Sequence, residues 1–327
     1  MMLIFLVINT PLVMVDTLLP DRHKQKDFFI CDVFDSFKDD IASMEHPVFS
    51  LSKKPDHRVL MYEYNGVTIK IKPSYTGLAT ILDKDILLYL ASSLMSAKNC
   101  GEKLSKTVRF TSYDYLIATN KGTGGFQYNQ MKEGLERLKG TVIQTNIKTN
   151  NIETTEEFGL IDRWKIVKED GKGKAIAIEL KLSDWFYNSI VGDSVLSIDR
   201  DYFRLRKPTE RRLYELARKH CGNQVIWKIK LENLKIKLGI TSPIRTLRFN
   251  IKKMVETNHL PDYNILLEND VVMFTRKGPP KEQKIFDKLP KHISNKEIEK
   301  HAKRGESYEQ ARSRLMLKKL KEGTELK

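Results

Sequence analysis

The chain has 327 residues, 40% of them hydrophobic and 30% charged, which is the size of about two ordinary domains with enough apolar material for real cores. Lys and Arg number 57 against 42 Asp and Glu, a formal net charge of +15. That surplus favours a polyanionic partner, because each phosphate neutralised releases condensed counterions. Three cysteines, Cys31, Cys100 and Cys221, lie far apart with no CxxC spacing. This argues against a disulfide framework or a cysteine zinc site and fits reduced thiols in a cytoplasmic protein.

The opening MMLIFLVINTPLVM is apolar but too short to span a bilayer, and no basic n-region precedes it as in a secretory signal. It reads as an extension outside the fold, with Met14 as an alternative start, and no other stretch looks transmembrane. The charge is uneven. Residues 200–260 hold 16 basic and 5 acidic side chains, residues 276–327 hold 16 and 8, and residues 1–50 hold 4 and 8. A chain with a nucleic-acid face concentrates cations in this way, although chance clustering on a solvated surface gives the same pattern.

Residues 15–60 are mixed and mostly irregular, punctuated by Pro20, Pro47 and Pro55. Val67–Ile71 alternates and is β-branched, a strand. Ile81–Ala97 has apolar residues at helical spacing. Thr107–Thr111 is a short strand, and Ser112 has the chemistry of an N-cap for a helix over 113–118. The turn NKGTGG leads into a helix over 126–139. Strands follow at 141–147 and 157–161 around a polar stretch, then a hairpin of 164–168 with 175–181. The order from Val67, strand, helix, strand, helix, turn, helix, strand, polar loop, strand, is the winged-helix plan, a helix-turn-helix with a β-hairpin wing; here 141–147 and 157–161 stand as the wing. The order then repeats: a strand at 195–198, a helix over 209–221 opened by Pro208 and closed by Gly222, a strand at 225–230, helices over 231–238 and from Ser242 to about Asn258, and a hairpin of 264–267 with 271–275. The lysine-rich end could hold a basic helix over 308–320 or remain disordered.

The expected fold is therefore α+β: two tandem winged-helix domains at 60–192 and 193–278, an irregular N-terminal arm at 1–59 and a basic tail at 279–327. The second helix of a helix-turn-helix lies in the major groove, with its N-terminal side chains on base edges. At 100° per residue, Tyr128, Met131, Leu135 and Leu138 share the core face of the first such helix, and Phe126, Asn129, Gln130, Glu133 and Arg137 face outward. Asn and Gln can pair bidentately with adenine, and Lys121 and Thr123 in the preceding turn can take phosphates. In the second, Ile244, Leu247, Ile251, Met254 and Val255 form the core face. Arg245, Thr246, Phe249, Lys252 and Lys253 face outward, with Arg248 at the flank and Ser242 at the start. Arg suits guanine and Lys suits phosphates. The run RDYFRLRKPTERRLYELARKH adds Arg204, Arg206, Lys207 and Arg211 as candidate backbone contacts, some of which could instead pair with acids inside the fold.

Catalytic and cofactor signals are missing. No two of the 7 histidines stand two apart, so the His-x-His metal site of rolling-circle initiators is absent. GTGGFQ lacks the Lys-Ser/Thr of a P-loop, and the acids of 32–45 are too scattered for a metal cluster. The expectation is no enzyme, no cofactor and no metal.

The stretches SMEHPVFSLSKKPDHR (43–58), LATILDKDILLYLAS (78–92), TVRFTSYDYLIATN (107–120), TGGFQYNQMKEGLERLKGT (123–141), FGLIDRWKI (158–166) and DYFRLRKPTERRLYELARKHCG (201–222) resemble the plasmid replication initiator protein A family, over roughly residues 27–275. The resemblance implies a protein that binds repeated sites in a plasmid origin, opens or remodels it, and recruits host replication proteins such as initiator and helicase. It also implies monomers at the origin and a homodimer that represses its own gene. A plasmid-encoded transcriptional repressor or partition protein fits the DNA-binding features equally well, and only the resemblance separates the two. A lysine-rich module for a protein or membrane surface is the third class; the two helix-turn-helix patterns and the lack of an apolar stripe in the tail argue against it.

Overall fold

The computed structural model describes residues 18–23, 36–64, 66–146, 156–168, 175–222, 224, 226–277, 300–301 and 315. Within residues 1–275 these form one compact unit, and residues 276–327 make a second. The apolar start, the polar stretch 148–155, the turn at 169–173 and nearly all of the expected tail helix lie outside the described residues.

The chain is α+β, and its named strands pair only antiparallel. In order come β1 (Phe37–Asp40), α1 (Ile41–Glu45), β2 (Leu60–Tyr64), β3 (Val67–Lys72), α2 (Lys84–Asn99), β4 (Thr107–Phe110), α3 (Ser112–Ala118) and α4 (Gly125–Gly140). Then come β5 (Val142–Thr145), β6 (Glu156–Gly159), β7 (Ile161–Lys168), β8 (Ala175–Leu182), α5 (Asp184–Val191) and β9 (Val195–Ile198). After a 3-10 turn at Arg200–Arg204 follow α6 (Pro208–Cys221), β10 (Ile226–Lys230), α7 (Leu231–Leu238), α8 (Ile244–Thr257), β11 (Tyr263–Glu268) and β12 (Val271–Arg276).

One six-element block occurs twice. In the first, α2, β4, α3 and α4 precede the hairpin β7–β8, and the sheet order is β4-β8-β7; in the second, α6, β10, α7 and α8 precede β11–β12, and the order is β10-β12-β11. In both, the strand between the first two helices pairs with the last strand of the hairpin. The start and stop residues explain the helices. Pro208 opens α6, where a missing N–H costs nothing, and the Glu210 carboxylate accepts the Lys207 N–H at 3.1 Å. The cap of α3 is Thr111, whose side chain accepts from the Asp114 N–H, one residue before the Ser112 expected in that role. Gly239 ends α7 at φ +68, and a Cβ there would stand 2.6 Å from Pro47 Cβ and 3.0 Å from the Tyr62 hydroxyl oxygen. Only glycine fits both the left-handed turn and that close approach.

Three expectations need correction. The strands 141–147 and 157–161 are not the hairpin beside β4: β5 and β6 join β2 and β3 in a sheet ordered β2-β3-β5-β6. The chain changes sheets at Gly159–Leu160, where Leu160 is fully buried and its carbonyl accepts from the Ser183 hydroxyl at 3.1 Å. Residues 37–45 are not irregular but form β1 and α1. Finally, β9 does not open the second block; it pairs with β1, from Phe37↔Ile198 to Asp40↔Val195.

Behind this two-stranded sheet lies a buried network of charges. The Lys84 ammonium, fully buried, sits 2.8 Å from Asp39 and 3.0 Å from Glu215. Glu215 also accepts from the Tyr202 hydroxyl at 2.8 Å and pairs with Arg212 at 3.1 Å. Arg212 donates to the carbonyls of Ser43, Met44 and Glu45, acceptors that the end of α1 leaves without helical partners. Burial pushes the Asp39 and Asp40 carboxyls above their usual range against the pull of Lys84. Burial works to lower the Lys84 ammonium, but Asp39, Glu215 and Asp40 raise it by more.

Candidate nucleic-acid interface

The last helix of each block carries the candidate face. On α4, Met131, Leu135 and Leu138 are buried and Tyr128 packs partly against the core. Phe126, Asn129, Gln130 and Glu133 are exposed on the other side. On α8, Leu247, Ile251 and Met254 are buried while Arg245, Thr246, Phe249, Lys252 and Lys253 are exposed. Both helices display a phenylalanine, Phe126 at 67% and Phe249 at 56% exposure. The Lys253 ammonium lies 4.5 Å from the centre of the Phe249 ring, within cation–π range.

The second hairpin bears on this face. Arg248 forks onto Asp270 in the β11–β12 turn, Nε to Oδ1 at 2.7 Å and NH2 to Oδ2 at 2.6 Å, tying α8 to its hairpin. The Arg248 guanidinium holds the Asp270 carboxyl below its usual range. Both partners are partly exposed, and solvent screens such a pair so that it adds little, which lets Arg248 exchange Asp270 for another anion at small cost.

Several candidate residues are differently placed from the sequence expectation. Arg211 is a core residue: its side chain is 4% exposed and its NH1 lies 2.5 Å from Asp85. A guanidinium so enclosed cannot reach a DNA backbone. Arg137 does not face outward, because Nε and NH2 both donate to Asp83 at 2.8 Å. Lys121 pairs with the other oxygen of Asp85 at 2.5 Å, and Arg204 donates to Asp201 and to the Leu19 carbonyl. Ser242 is half-buried and makes no cap; Pro243 holds that position. Thr123, Arg206 and Lys207 are exposed, with Lys207 3.1 Å from Glu210.

Other residues join the face that the sequence reading passed over. Lys53 and Lys54 line a cleft of about 240 Å³ together with Gln127 and Gln130 of α4. Their loop was read as irregular, and only the tertiary fold brings it there. Asn250 is exposed on α8. It lies four residues after Thr246 and three before Lys253, so the helical wheel alone could have found it. Among the described residues no group of His, Cys, Asp and Glu could hold a metal ion, and no helix is long and apolar enough to cross a membrane.

The comparisons agree with this architecture. Solved structures of domains 2 and 3 of RctB superpose with TM-scores of 0.51 and 0.50, at 12% and 13% identity, over 71% of this chain and 95% of theirs; at that identity the likeness is one of fold. A protein of Wigglesworthia glossinidia brevipalpis named "Putative replication protein" is 45% identical over 266 residues, which are 79% of this chain and 96% of that protein. Residues 38–265 match the family model for replication initiator protein A. This span takes in both six-element blocks up to the last hairpin and the buried network between them, and the chain belongs to the replication initiator protein A family.

Proposed function

We infer that the chain is a DNA-binding plasmid replication initiator built on two winged-helix domains, 60–192 and 193–278, with an arm before them and a basic tail after. The helices α4 and α8 enter successive major grooves of repeated origin sites, and β7–β8 and β11–β12 are the wings. Phe126, Asn129 and Gln130 read bases from the first domain, and Arg245, Thr246, Arg248, Phe249 and Asn250 from the second. Thr123, Arg206, Lys207, Lys252 and Lys253 take phosphates, and Lys121 joins them when it releases Asp85. The observation that carries this reading is the repetition: the same six elements with the same sheet order occur twice, each ending its helical part in a helix with a polar, cation-bearing outer face.

On this reading the protein works without catalytic residues or cofactor, in the cytoplasm on the plasmid. It helps open the origin, recruits host initiator and helicase, and represses its own gene as a homodimer. The test is a minimal replicon from which the gene has been deleted. Supplying the protein in trans is expected to restore replication. Repression of the gene's promoter without any restored replication would instead establish the repressor or partition reading.

A further inference from the structure

Residues 18–23 cross from one block to the other. The Asn120 side chain, 7% exposed in the turn before α4, accepts from the Arg22 N–H at 2.8 Å and donates to the Pro20 carbonyl at 3.2 Å. Beside it, the His23 ring nitrogen Nε2 lies 2.7 Å from the Lys121 carbonyl. At the other end the Leu19 N–H donates to the Arg204 carbonyl at 2.8 Å, and Arg204 Nε returns a bond to the Leu19 carbonyl at 2.7 Å. Arg206 reaches the Leu18 carbonyl. The segment is therefore pinned at both ends. One end lies on the helix-turn-helix of the first block and the other on the loop that opens the second.

Asn120 adopts φ +55, a left-handed conformation that asparagine tolerates better than most residues, and its amide acts like a strand edge for the passing backbone. At the first of these anchors the segment carries Arg22, with its side chain exposed and its backbone fixed at the turn. Arg206, also exposed, stands at the far anchor. Cations that are far apart in the chain thus come to one stretch of surface.

The geometry points to residues 18–23 as an arm of the DNA interface: Arg22 contacts the phosphate backbone beside the stretch that α4 covers, and Asn120 is the positioning residue that holds it there. The arm rests on the DNA-binding reading above and adds a contact to it. The ligand is the sugar-phosphate backbone of duplex DNA, whose phosphates a guanidinium grips bidentately and without regard to sequence.

The experiment measures the salt dependence of binding to the DNA beside the gene and to an unrelated duplex, for the full chain and for its variants. Each phosphate contact contributes about 0.9 to the slope of log K against log salt. Arg22→Ala should lower that slope by about one unit and weaken both duplexes by the same factor. Lys253→Ala, in the second block, serves as the reference for a lost phosphate contact. Asn120→Gly keeps the left-handed turn accessible while removing both side-chain bonds to the arm; in that background Arg22→Ala should cost much less than in the wild type. An unchanged slope for Arg22→Ala while Lys253→Ala lowers it would overturn the arm and leave the DNA-binding reading standing. Absence of binding by the wild type would defeat both.

Discussion

Replacing Arg245 and Arg248 together by alanine is expected to remove most of the preference for origin DNA while leaving the fold and the unfolding midpoint nearly unchanged. Arg245 is exposed in the first turn of α8, where side chains of a recognition helix meet base edges. Arg248 presents a planar fork already organised by Asp270. A good bidentate contact to guanine contributes about 1–3 kcal/mol of discrimination, and two contribute about twice that. At ~1.4 kcal/mol per tenfold, most of the gap between specific and nonspecific binding closes. Neither side chain belongs to the core, so circular dichroism and urea unfolding should match the wild type. A folded double variant that still prefers origin DNA would remove α8 from the reading role. Asp270→Asn, which releases Arg248, should tighten binding to every duplex.

The largest effect on stability is expected from Lys84→Met. The side chain is removed from between Asp39 and Glu215, which are buried with it, and the carboxylates lose their compensating charge. Breaking a buried pair from one side costs about 3–5 kcal/mol, against a total stability of about 5–15 kcal/mol. The urea midpoint should fall accordingly, with the m-value unchanged if folding stays two-state. The deficit should also depend on pH. The folded-state carboxyl of Asp39 already lies above its unfolded value through burial, and without Lys84 it rises further. The folded variant then binds protons more tightly than the unfolded chain, so stability gained below the unfolded carboxyl range is lost as pH rises through the folded value. The deficit should be largest at neutral pH and narrow on acidification. A midpoint within error of the wild type at neutral pH would show that the charges are not needed to join the blocks.

The same network marks where sequence reading stopped. The helices α2, α4, α6 and α8 were legible because their apolar residues recur at helical spacing, and the ends of β9 and α7 were read without error. β1 was not, because Phe-Lys-Asp-Asp has the composition of a turn. Asp39 is buried with its charge met by Lys84, 45 residues further on in the chain. Residues 142–159 read as a wing because two strands around a polar stretch look alike whichever sheet they enter. At the candidate site, the outward faces of α4 and α8 followed from periodicity, but charge alone did not tell Arg211 and Arg137, bound to Asp85 and Asp83, from Arg245 and Arg206, which are exposed. The arm at 18–23 carries no local signal at all; its partners lie 98 or more residues away.

The measurement that bears most directly on the central claim is a titration of the purified protein onto DNA flanking its gene, with an unrelated duplex of equal length as control, at one physiological salt concentration. Footprinting would be carried out on the bound fragment. A preference of at least about a thousandfold, with regularly spaced protected repeats each wide enough for two major-groove contacts, is the predicted result. Equal affinity for the two duplexes, with no protected repeats, would contradict it and reduce the positive charge to a nonspecific grip.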